Sequence, residues 1–75
     1  MIYIVAGNLQ QAYQCATKNR LHMDLWVYVH SAESLMATWK PGDILWKTGT
    51  YSWHTAWKVI SAFATAEQID IILKD

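Results

Sequence analysis

One phrase occurs twice in this chain and constrains its fold more than anything else. Ile2-Tyr3-Ile4-Val5-Ala6 runs into Gly7-Asn8 and a helical pattern; Ile44-Leu45-Trp46-Lys47-Thr48 runs into Gly49-Thr50 and another. Unbroken apolar runs of this length suit strands covered on both faces, as in a parallel sheet. Each copy therefore reads as strand, glycine turn and helix start, the opening unit of an α/β fold. Such turns lie where α/β proteins bind ligands.

The rest of the chain extends the pattern. Asn8 is a good helix N-cap, and Gln11 stands at the capping-box position three residues on. Leu9, Ala12, Tyr13 and Ala16 share the spacing of one helix face. Lys18 and Arg20 suit the end of that helix, and Asn19 its terminator. Leu25–Val29 reads as a second strand. Ser31 caps a short helix predicted to run to about Trp39, with Glu33 in its first turn. Pro41-Gly42 then turns the chain. Ser52 is read as the cap of the strongest helix, on the stripe Trp53, Ala56, Trp57, Ile60, Phe63 and Ala64. His54, Thr55, Lys58, Ser61 and Thr65 fall on its opposite, wet face. Ile69–Leu73 is a last strand, and Asp70 within it argues for a sheet edge.

The order β-α-β-α-β-α-β implies a single small α/β domain with a mainly parallel four-stranded sheet and helices packed on it. The expected strand order is 2-1-3-4, with right-handed crossovers. It sets Gly7-Asn8 beside Gly49-Thr50 at the topological switch point. An antiparallel last strand, giving an α+β fold, is the main competitor.

Composition removes several function classes. With 75 residues, the chain has room for one marginal core. It answers with 53% hydrophobic residues, five of them Trp, whose large rings fill a small core efficiently. Most of the Trp residues are expected inside; any left outside would favour a partner surface. Six basic residues balance six acidic ones, and the basic ones are scattered, which disfavours nucleic-acid binding. Cys15 is the only cysteine, so an internal disulfide is excluded and a buried apolar role is expected. No signal-peptide pattern or membrane-span-length apolar stretch is readable, so the expectation is a soluble cytoplasmic protein.

No complete chemical motif appears. A dinucleotide fingerprint needs three spaced glycines and a P-loop needs Gly-Lys-Ser/Thr; only Gly7 and Gly49 stand at these turns. A helix start still offers free N–H groups to an anion. Gly7, Asn8, Thr48, Gly49, Thr50 and Tyr51 are thus the candidate ligand-binding residues, joined by His30 and His54 as titratable neighbours. No carboxylate or serine is placed to make either histidine catalytic, so no enzyme is expected. His22, His30 and His54 show no metal-ligand spacing, and neither metal nor cofactor is expected.

The stretches Tyr3–Asn8, Gln10-Gln11-Ala12, Trp26–Val29 and Ile44–Tyr51 together resemble short Rossmann-like accessory proteins of tailed phages. The chain departs from them at Ser52–Ala56, where the family carries charged residues. The resemblance implies a phage accessory gene acting in the host cytoplasm and identifies no target.

The resulting expectation is a non-enzymatic binding protein that engages a host protein as a counter-defence or takeover factor, with Trp39, Tyr51 and Trp53 at the interface. The alternative is a module that sequesters a nucleotide or another phosphate at the paired glycine turns. A homodimer is open, since small sheets with apolar edges pair.

Overall fold

The computed structural model describes all residues, Met1–Asp75. Four strands, β1 (Ile2–Val5), β2 (Trp26–Tyr28), β3 (Ile44–Lys47) and β4 (Asp70–Leu73), alternate with three helices, α1 (Leu9–Lys18), α2 (Ala32–Thr38) and α3 (Trp57–Ala66). Short 3-10 turns at Met23–Leu25 and Tyr51–Trp53 complete the chain. The sheet order is β2-β1-β3-β4 and every pairing is parallel, so β4 is parallel too.

The period of two along each strand divides the core into two layers. Tyr3, Val5 and Leu45 project to one face and pack with Leu35 of α2 and Ile60 and Ala64 of α3. Ile4, Ala6 and Trp46 project to the other and pack with Ala12, Cys15 and Ala16 of α1. Ile4, Leu35, Leu45 and Ile60 are fully buried, each contributing about 1.5–3 kcal/mol relative to an exposed side chain. The small residues of α1 let it lie close on the strands. Leu9 and Tyr13, expected on its inner face, are exposed instead. Tyr13 turns its ring edge-on to Trp26 at 5.2 Å and roofs it from outside.

Local capping follows the sequence. Asn8 Oδ1 accepts from the Gln11 amide at 2.9 Å, and Ser31 Oγ from the Ser34 amide at 3.2 Å. Asn19 closes α1, its amide donating to the Cys15 carbonyl. β2 is shorter than predicted, because Leu25 belongs to a 3-10 turn that His22 caps through Nδ1.

The largest departure is the start of α3. The predicted helix from Ser52 begins only at Trp57 and has no serine cap. Tight three-residue turns precede it: Trp53 N–H donates to Thr50 O, His54 N–H to Tyr51 O, and Trp57 N–H to His54 O. His54 has extended backbone (φ −60°, ψ 129°), which no helix accommodates. Trp57, Ile60, Phe63 and Ala64 keep the inward stripe. Trp53 leaves it and is 79% exposed. Of the five Trp residues only Trp46 is fully inside; Trp26, Trp39 and Trp57 are half-buried.

Candidate functional site

The candidate ligand-binding residues gather at the carboxyl end of the sheet. Thr48 N–H donates to Val5 O at 3.0 Å and carries the β1–β3 ladder one step beyond the strands. Gly7 therefore lies beside Gly49-Thr50. Here sits a switch-point crevice, and the protein fills it with its own side chain. Gln11 Oε1 accepts from Gly7 N–H at 2.9 Å, Thr50 N–H at 3.0 Å and the Thr50 hydroxyl at 3.2 Å. In a capping box this side chain returns to the cap amide. In this chain it bridges two turns and reaches Thr50, 39 residues further along the chain.

The glycines make that bridge possible. Gly49 has φ +55°, the left-handed region that glycine adopts without cost, and a Cβ there would collide with the Gln11 carboxamide. A Cβ on Gly7 would collide with the Thr50 hydroxyl and come within 3.0 Å of the Thr50 carbonyl. The repeated glycines thus serve a contact between turns. The donors that would meet a phosphate are the ones that Gln11 occupies.

Two shallow clefts flank this seal. One, of about 280 Å³, is lined by Gln11, Gln14, Cys15, Lys18, Thr48, Gly49 and Asp75. Thr48 is buried there, while Asn8 is exposed at the helix start. The other, of about 250 Å³, is lined by Gly7, Tyr28, His30, Trp53, His54 and Thr55.

The second cleft brings both candidate histidines together with an aromatic wall. The Tyr28 and His30 rings meet edge to face at 4.7 Å, and Tyr28 and His54 lie 6.0 Å apart. Tyr28 OH donates to Ala6 O at 3.3 Å, and burial raises its phenol pKa, so it stays protonated. His54 links two segments. Its Nδ1 accepts from Ala56 N–H at 3.1 Å, so Nε2 bears the proton and donates to Val29 O at 2.8 Å. Both ring nitrogens are thereby engaged by backbone, and His54 ties the end of β2 to the entry of α3. His30 is exposed at the rim.

The interface candidates separate. Trp39 packs edge-on to Phe63 at 6.1 Å. Tyr51 packs on Trp57 at 4.9 Å, with Lys47 Nζ 5.0 Å above its ring. Both close the margin of the α2–α3 layer. Trp53 alone stands free, at the mouth of the second cleft. Tyr28 and Thr55 also line this cleft and were not singled out from sequence. Tyr28 reads there as an ordinary strand aromatic, and Thr55 as the wet side of a helix that starts later.

The chain matches no protein-family model, and comparison with curated proteins and with solved structures finds no match. No helix is long and apolar enough to cross a membrane.

Proposed function

We propose that this chain is a non-enzymatic protein-binding module whose anchor is Trp53. The carrying observation is the 79% exposure of that indole at the mouth of a cleft lined by Tyr28, His30 and His54. A Trp held outside a core this small leaves a large apolar surface in water. Interfaces concentrate their energy in such residues, seated beside a pocket and ringed by polar groups. The two engaged nitrogens of His54 support binding over acid–base work. On the resemblance to tailed-phage accessory proteins, the partner is a host protein met in the cytoplasm, and the role is counter-defence or host takeover.

Affinity capture from bacterial host lysate tests the reading, with wild type and Trp53→Ala side by side. Wild type should enrich a specific protein, and Trp53→Ala should weaken its binding by at least about tenfold, as loss of an interface anchor does. Equal recovery by both, or none by wild type at any salt concentration, would reject it.

The second reading, a nucleotide or phosphate sequestered at the paired glycine turns, draws support from the three donors converging on one oxygen. It requires Gln11 to yield its place. A ligand present at a hundredfold excess over its dissociation constant would stabilise the fold by about 2.7 kcal/mol. No thermal shift across mono-, di- and cyclic nucleotides removes this reading.

A further inference from the structure

We propose that the free edge of β4 pairs with β4 of a second copy, antiparallel about a two-fold axis at Ile72, so that two sheets join into one of eight strands. The inference is independent of the Trp53 surface. It begins with which backbone groups are spare. Lys74 N–H donates to Lys47 O at 3.0 Å, so the even positions of β4 point their backbone groups inward to β3. Those of Ile71 and Leu73 therefore point outward along the edge.

An antiparallel ladder alternates pairs that exchange two hydrogen bonds with pairs that exchange none, and residues opposite each other share a sheet face. Centring the axis on Ile72 places Ile71 opposite the second copy's Leu73, and Leu73 opposite its Ile71. These are the outward-pointing positions, so each pair exchanges two hydrogen bonds. Ile72 meets its own copy at a non-bonded position, where side chains approach most closely.

Charge selects this register over its neighbours. Ile72 lies on the α1 face, in register with Trp46, and is 39% exposed. Asp70 and Lys74 share that face on either side of it. The Ile72-centred register sets each Asp70 opposite a Lys74 and each Ile72 opposite an Ile72. Centring on Ile71 would oppose Ile72 with Asp70, and centring on Leu73 would oppose it with Lys74. Leu73, 61% exposed, finds apolar company in the opposite Ile71. An unpaired edge that exposes apolar side chains is a template for pairing with another chain. The other edge is less suited: β2 has three residues, and Tyr13 and His30 cover two of its rings. One four-residue edge falls short of the 1,200–2,000 Å² typical of stable complexes, so the dimer should be weak.

Sedimentation equilibrium from about 10 µM to 1 mM tests this, with circular dichroism confirming that each variant is folded. Wild type should dimerise with concentration. Asp70→Lys and Lys74→Asp, each placing like charges opposite one another twice, should each raise the dissociation constant by about tenfold or more. An equimolar mixture of the two variants should restore dimerisation, because every pair is then unlike. Leu73→Pro, which removes an outward N–H and spares the bonds to β3, should give a folded monomer. A wild type that stays monomeric to the top concentration, a mixture no better than its components, or a Leu73→Pro variant that dimerises normally would each overturn the proposal.

Discussion

The two sides of Gly7 have opposite fates. Towards β3, its amide meets Gln11 Oε1 together with both donors of Thr50, and the switch point is closed. Towards β2, the same residue lines a cleft that remains open to solvent. The closed side is built from small residues and one amide, which satisfy one another. The open side is lined mainly by the rings of Tyr28, His30, Trp53 and His54. A topology that brings two glycine turns together does not by itself make a ligand site; the third residue of the first helix, Gln11, decides it.

Substitutions on the two sides should separate them. Gly7→Ala should be the most damaging, since it drives a methyl group into Thr50 side chain and backbone together; a loss of about 3 kcal/mol in urea unfolding is expected. Wild-type stability would mean that the turns are not packed. Gln11→Ala should cost about 2 kcal/mol by leaving two backbone donors unpaired. Gln11→Glu sharpens the point. Its carboxylate keeps all three donors and should preserve stability near neutral pH. Those bonds depress its folded pKa below the unfolded value, so the stabilisation should be lost as pH falls below about 4.

On the open side His54→Ala should cost about 1–2 kcal/mol. It should also speed amide exchange at Ala56, whose N–H loses its acceptor. Unchanged exchange there would dissociate His54 from the start of α3. The smallest effect lies at the opposite end of the sheet. Burial opposes ionisation of Asp43, but the N-terminal ammonium at 3.0 Å and the Lys40 amide at 2.8 Å outweigh it and hold its carboxyl below the usual carboxylate range. A depressed carboxylate stabilises above its unfolded pKa, and that contribution disappears as pH falls through the folded value. Wild type should therefore lose slightly more stability than Asp43→Asn between pH 5 and about 2.5.

Much of the architecture was legible because it rests on local pattern. The apolar runs at Ile2–Ala6 and Ile44–Thr48, the Asn8 and Ser31 caps and the charged Asp70 at an edge all report backbone preference or burial directly. Parallel pairing followed from the alternation of elements, and the expected order 2-1-3-4 is the one observed. The site was less legible, because its decisive contacts join distant residues. Gln11 was visible as a capping residue, yet nothing near it tells that its oxygen reaches Thr50. His54 at a helical spacing implied a wet face, whereas its ring fixes Ala56 and Val29 and delays the helix. That delay also removed Trp53 from the buried stripe, so one long-range contact changed the reading of both residues.

Parallel pairing throughout has a consequence for how this chain finds its structure. No two strands are joined by a hairpin. Ile2 pairs with Trp26, 24 positions on, and with Ile44, 42 positions on; Ile44 pairs with Asp70, 26 positions on. Each ladder must close a loop of that span before its first bond forms. The entropy of closure is spent before contacts return it, which slows folding in chains rich in distant pairings. For its size this protein should fold slowly, and the central β1–β3 pairing, with the widest span, is the step that sets the pace.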